Sequence, residues 1–368
     1  MAVGDGGCVR ERAAVVEAGN AGDCTMKKLL TALWVAGSMA MSSSVWAQDY
    51  DKAKKAYISG DYSTALKEWG VLADRGHAAA QLDLGHMFEF GIGVVRNDKA
   101  ALALYRKAAE QGHPSGQYNL AFMLRMGRGA TKNIKEAILW YRRAAEQGVP
   151  NAQESLGFIY EKGEGVNQDY QEAMLWYRKA AEQRGRDGAQ FSLGAMYANG
   201  HGVGQDYKLA AYWYQKAAEH GNPHAENNLG IMYEAGQGVS QDYKEAAYWY
   251  RKAAEKLGRY EAQYNLGSMY EKGQGVDKDY NQAVTWFRTS ASQGYNKAQQ
   301  KLGDMYITGR GVIQDAVYAH MWYNIAASNG AENASKWRDE LAKKMTAADI
   351  SKAQELAREC VKKQFKGC

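Results

Sequence analysis

Between Asp49 and Glu359 the chain has no cysteine at all, and its 368 residues hold only three prolines. No disulfide within that span can fasten the fold, so stability there has to come from packing. Long hydrophobic runs are missing as well. The most apolar stretch, Leu29 to Met41, is shorter than the roughly 20 residues that cross a bilayer. Charge of one sign is scarce: 46 basic and 41 acidic residues leave +5, interleaved rather than gathered into a basic stripe, which excludes nucleic-acid binding. There is no G-x-S-x-G elbow, C-x-x-C, H-E-x-x-H or phosphate-binding G-x-x-x-x-G-K. His220 and His224 have metal-ligand spacing, but Gly221, Asn222 and Pro223 between them make a turn, so the two do not share a helical face. No catalytic residue, metal site or cofactor is expected, and the chain reads as a protein that is not an enzyme.

What is present is repetition. In Pro150 to Gln183, Ala173, Trp176, Tyr177, Ala180 and Ala181 fall at i, i+3, i+4, i+7 and i+8, the apolar stripe of one helix. Ala152, Leu156, Ile159 and Tyr160 form the stripe of another, which Gly163 and Gly165 end before Asp169 caps the next. The leucine recurs at Leu84, Leu120, Leu156, Leu193, Leu229, Leu266 and Leu302, in steps of 36 or 37 residues, the longer steps coming from Arg184 and Leu257 in inter-repeat turns. Caps recur at Asn97, Asn133, Asp169, Asp206, Asp242, Asp279 and Asp315, and four residues on there is always alanine, which implies close helix approach. The prolines Pro114, Pro150 and Pro223 each stand where a first helix begins. The glycine-rich run from Gly200 to Gly204 recurs in every copy without a preceding strand, so it terminates a helix rather than cradling a phosphate. Trp-Tyr pairs such as Trp140 with Tyr141 stand at core spacing and read as packing, not as a ligand-stacking ladder.

Helical hairpins that cannot bury their stripes alone stack into solenoids. The unit A-Q-x-x-L-G-x-M-Y, G-x-G-V, D-Y-x-x-A-x-x-W-Y-x-K-A-A, almost intact from Ala262 to Ala291, resembles the Sel-one-like repeat (SLR) branch of the tetratricopeptide-like families. The resemblance covers about three quarters of the chain, with local departures at Gly116, Ala121 and Leu104. It implies an all-α, right-handed α-solenoid of about nine hairpins: a capping hairpin at 48–76, seven repeats over 77–330 and a C-terminal capping hairpin at 331–368.

Ahead of the repeats, Lys27 and Lys28, the apolar run and Ala47 form a secretory signal peptide at 26–47, and residues 1–25 are read as an upstream misassigned start. Removing residues 1–47 takes away four basic and four acidic residues, so +5 remains. The expected product is periplasmic or secreted, without membrane insertion once the signal is cleaved. Cys360 and Cys368 either form a disulfide contributing about 2–3 kcal/mol by closing a short loop or are free thiols on a frayed tail.

The resemblance further implies that first helices line a concave, partner-binding face, with the residues flanking the Leu-Gly pair pointing into it. Carried over, these are Tyr118, Asn119 and Phe122, with Arg125 one turn later, then Phe158, Phe191, Asn228, Tyr264 and Asn265. Rings beside side-chain amides suit an extended peptide. The alternative, that the rings pack on the neighbouring repeat, stays open. Glu161, Glu234 and Glu271 would make the groove mixed in charge. The expectation is a monomeric scaffold or adaptor for protein or peptide partners in an envelope or host-interaction process, with cell-wall glycan or peptide as a second ligand class. A third, β-lactam binding or hydrolysis, belongs by resemblance to cysteine-rich members with a disulfide in each repeat, which this chain lacks.

Overall fold

A computed structural model of the chain describes residues 48–183, 185–256 and 259–368. The expected signal peptide and upstream stretch, and the inserted Arg184 and Leu257, lie outside the described residues. Helices follow one another throughout, and no strand occurs among the described residues. They fall into two compact units, residues 1–132 and 133–368.

The first unit carries α1 (48–58), α2 (Tyr62–Asp74), α3 (Ala78–Phe90), α4 (Asp98–Glu110) and α5 (Pro114–Met126). The second carries α6 (Ile134–Glu146), α7 (Pro150–Lys162), α8 (Tyr170–Ala181), α9 (Asp187–Asn199), α10 (Tyr207–Glu219), α11 (Pro223–Ala235), α12 (Tyr243–Ala254), α13 (Tyr260–Lys272), α14 (Tyr280–Ala291), α15 (Asn296–Thr308), α16 (Ala316–Ser328), α17 (Ala334–Ala342) and α18 (Ala347–Lys362). Within each unit the helices from α2 to α17 pack on their chain neighbours, and α18 returns to pack on α16, the arrangement of an α-solenoid. No described helix is long and apolar enough to cross a membrane.

Local chemistry explains the regularity. Asp169, Asp206, Asp242, Asp279 and Asp315 each accept two backbone N–H groups in the first turn of a second helix, satisfying donors that the helix itself cannot. Pro114, Pro150 and Pro223 occupy the first turn of α5, α7 and α11, where no N–H is needed. The leucine column and the alanine column are buried in all seven hairpins; each leucine contributes about 1.5–3 kcal/mol. The glycine after the leucine seats an aromatic ring. A Cβ on Gly157, Gly194, Gly230 or Gly303 would lie 2.5–2.7 Å from the ring of Tyr177, Tyr214, Tyr250 or Tyr323.

A second regularity is polar. Buried Gln81, Gln117, Gln153, Gln190, Gln263 and Gln299 each donate from Nε2 to the carbonyl of an alanine near the end of the preceding second helix, at 3.0–3.4 Å. The Oε1 atoms of Gln81, Gln153, Gln190, Gln263 and Gln299 receive hydrogen bonds from the end of their own hairpin, as from Gln111 to Gln81 at 2.7 Å, Gln183 to Gln153 at 2.8 Å and Gln293 to Gln263 at 2.6 Å. These five amides are thereby satisfied on both sides, and each of the six ties two hairpins together. In the fifth repeat the same two places hold Glu226 and Lys256, with Nζ 2.7 Å from both carboxylate oxygens.

The C-terminal cap differs from a repeat. α17 begins at Ala334 rather than near Ala331, after a turn through residues 331–333, and spans only nine residues. Thr346 caps α18 by accepting from the Asp349 N–H at 3.1 Å. α18 lies on α16, burying Ala357 and Cys360 beside Met321. Cys360 is disulfide-bonded to Cys368, with 5.7 Å between Cα atoms.

Two caps are unusual, since His77 and His113 accept the Ala80 and Gly116 N–H groups at Nδ1, 3.1 and 3.3 Å away. Only a neutral imidazole can accept there. Burial lowers both pKa values, partly opposed by Asp83. The folded state therefore binds fewer protons than the unfolded one, so this stability is present above the unfolded value near 6.5 and is lost as pH falls below it. At about 0.5–1 kcal/mol per cap, the first unit should melt lower at pH 5 than at pH 7. A double His77→Asn, His113→Asn variant, scanned calorimetrically at both values, should lose most of that difference; an unchanged difference would locate the pH sensitivity elsewhere.

Candidate functional site

The residues expected to meet a partner all lie on first helices. Tyr118, Asn119, Phe122 and Arg125 are on α5 in the first unit; Phe158, Phe191, Asn228, and Tyr264 with Asn265 are on α7, α9, α11 and α13 in the second. Eight of them are partly buried, and Phe158 is exposed. Period places each on the surface of its helix, but the neighbouring hairpin decides how far the ring sinks. Phe191 packs against Tyr214 and His224, with centroids 5.7 and 5.6 Å apart. Tyr264 packs against Phe287 and Tyr295 at 5.6 and 5.5 Å. Phe191 thus packs on its own second helix and on His224 of α11, and Tyr264 on its own second helix and on Tyr295, which precedes α15. Phe158 has the Lys162 ammonium 5.9 Å from its centroid, a cation–π geometry.

The amides are cross-braced. Asn119 Nδ2 lies 2.8 Å from His86 Nε2, and Asn265 donates to Asn227 at 3.1 Å, tying α13 to α11. Lys301 reaches Glu271 at 2.9 Å, which carries the same surface on to α15. Where α13, α15 and residues 330–333 meet, a cavity of about 550 Å³ opens, with Tyr264, Lys297, Gln300 and Glu332 among its walls. Asp304, also in its wall, accepts the Tyr323 hydroxyl at 2.8 Å, and burial raises its pKa against that bond.

Two of the acids expected to charge the groove have an internal duty that the repeat pattern did not disclose. Glu161 and Glu234 accept the hydroxyl protons of the buried Tyr177 and Tyr250, each at 2.8 Å, as Glu89 accepts that of Tyr105 at 2.7 Å. Burial, reinforced by these carboxylates, pushes the three phenols far above the usual tyrosine range. The Trp-Tyr pairs lie in the core, Trp176, Trp249 and Trp322 among them. His220 and His224 engage Gln190 and Arg259 respectively. No group of three or more His, Cys, Asp or Glu among the described residues could hold a metal ion. The surface offers donors, acceptors and partly exposed rings.

The Sel1 repeat family model matches residues 78–113, 114–149, 150–184, 188–222, 223–256, 261–295 and 296–330. Among solved structures the chain is similar to c5321, a protective antigen of uropathogenic Escherichia coli with an SLR fold, at 35% identity and a TM-score of 0.79, over 86% of this chain and 69% of that one. It is also similar to a Sel1 repeat protein from Oxalobacter formigenes, at 33% identity and a TM-score of 0.63, over 81% and 90% of the two chains. No curated protein matches the sequence. With seven matched repeats and these two likenesses, the chain belongs to the Sel1 repeat family, whose members generally act as protein-interaction scaffolds.

Proposed function

We propose that this protein is an exported, monomeric scaffold that grips an extended segment of a partner protein along its first helices, in a bacterial envelope or host-interaction process. One observation carries the reading. On α5, α7, α9, α11 and α13 the residues near the repeat leucine include rings, Tyr118, Phe122, Phe158, Phe191 and Tyr264, and amides, Asn119, Asn228 and Asn265, all partly exposed except Phe158, which is exposed. Amides can satisfy the backbone of a strand-like ligand and rings can cover its side chains.

Export is supported by Lys27 and Lys28, the apolar run from Leu29 to Met41 and the small residue Ala47. N-terminal sequencing of the protein recovered outside the cytoplasm should begin at Gln48 or a neighbour; peptides from Ala2 to Thr25 in that fraction would refute it.

Binding is tested at Phe158, which is 39% exposed. Peptides selected by display against the intact protein should bind Phe158→Ala at least about tenfold more weakly, because an aromatic anchor contributes about 2 kcal/mol or more. Helicity and melting should hardly change, exposed positions being worth less than about 0.5 kcal/mol. Full affinity in a folded variant would remove α7 from the binding face.

A further inference from the structure

The hydroxyl–carboxylate pairs do not form in every repeat: five residues after the leucine Arg125, Ala198 and Ile307 replace the acid, and Tyr323 turns to Asp304 instead. The acid stands five residues after the repeat leucine, as Glu161 does after Leu156 and Glu234 after Leu229; in the fourth repeat that place, five after Leu193, holds Ala198. Its tyrosine is otherwise ordinary: Tyr214 is buried and seated on Gly194. In the third repeat Tyr177 gives its hydroxyl proton to Glu161, while Ser192, just before the next leucine, acts to lower its pKa against the effect of burial. Asn228, at the equivalent position before Leu229, acts in the same sense on Tyr214, but the place of the acceptor is taken by a methyl group. Where the carboxylate would lie there is a cavity of about 140 Å³. Ala198, Tyr207 and Ile231 wall it, Tyr214 and Asn228 supply polar atoms, and the Gln237 amide also lines it. Ile231 is 41% exposed, so the cavity lies at the surface, beside the face argued above.

We propose that this cavity receives a glutamate side chain from the partner, whose carboxylate takes the Tyr214 hydroxyl proton in the way Glu161 and Glu234 do for Tyr177 and Tyr250. The proposal rests on the reading that a partner peptide lies along the first helices, and it adds a specificity position to it. A carboxylate is preferred to an amide because a charge-assisted hydrogen bond is roughly twice as strong as a neutral one, and the chain itself shows the geometry in three other hairpins. The apolar walls suit the two methylene groups that carry the carboxylate.

The test has two arms. In the first, sodium propionate, which is the glutamate side chain without its backbone, is titrated into the intact protein while the Ile231 methyl resonances are followed by NMR. A saturable shift is expected, several-fold weaker with propionamide, lost in Ala198→Glu and indifferent to the choice of probe in Tyr214→Phe. In the second arm, display-selected peptides are compared with their Glu→Gln versions; Ala198→Glu should weaken the glutamate peptides at least about tenfold while melting no lower than the unaltered protein. Should Ala198→Glu fail to fold, Tyr214→Phe alone carries the comparison. No saturable propionate shift, with glutamate peptides bound equally by both proteins, overturns the cavity and leaves the peptide-binding face standing. A propionate shift at Ile231 with no peptide retained upholds the cavity and removes the face.

Discussion

Alanine in place of Gly275 is expected to destabilise the second unit by about 2–5 kcal/mol. The residue has φ +70°, a backbone that costs an L side chain about 1–2 kcal/mol, and its Cβ would stand 1.9 Å from the carbonyl oxygen of Tyr243. That oxygen belongs to the first turn of α12, fixed by the Asp242 cap, so neither side can yield and overpacking adds about 1–3 kcal/mol. Gly273, two residues earlier, provides the control. Its φ is +72°, but a Cβ there would meet Lys278 Cβ at 3.0 Å and that residue's backbone at 3.5 Å, so Gly273→Ala should lose the backbone term and less overpacking than Gly275→Ala. Chemical denaturation of both variants measures the difference. Equal losses would mean that the second glycine serves its own turn and does not set the distance between hairpins.

The second large effect is expected at Lys256. Glu226 is almost wholly buried, and its carboxylate has this ammonium on both oxygens. Breaking a buried pair from one side typically costs about 3–5 kcal/mol, because the stranded charge has lost its water as well as its partner. Lys256 is itself 37% exposed, so Lys256→Met should fall below that range, at about 2–3 kcal/mol. The double variant Glu226→Gln, Lys256→Gln rebuilds the amide pair of the other repeats and should recover most of the loss. A double-mutant cycle by urea denaturation decides. If Lys256→Met melts like the unaltered protein, the ion pair is a surface contact and not a substitute for the amide pair.

Period, caps and breakers made the hairpins legible in the sequence, because they are local devices that recur seven times and a chance match cannot stay in phase. The glutamine of A-Q-x-x-L-G was visible in every quoted motif, yet its role was not, since a polar residue beside an apolar stripe reads as surface until the carbonyl it meets is known. The glycine that follows six of the seven leucines was hidden for the same reason: it answers to a tyrosine or phenylalanine about 20 residues further on. The candidate face was legible as a set of positions and not as a depth. Nothing around Tyr264 in sequence says that Phe287 and Tyr295 will close over one side of it. Ala198, like Arg125 and Ile307 at the same place in other repeats, was a departure readable in sequence, and it acquires meaning only beside Tyr214.

The exchange of Gln for Glu226 also bears on how the second unit would yield to force. A carboxylate has no hydrogen to give to the Ala218 carbonyl, so the joint between the fourth and fifth repeats lacks the amide tether found at the other junctions, and the Ala198 cavity lies beside that joint. What ties the fifth repeat to the fourth there is the Lys256 ammonium, which donates to the Gly221 carbonyl at 2.8 Å as well as to Glu226, so a single side chain holds a joint that two amides hold elsewhere.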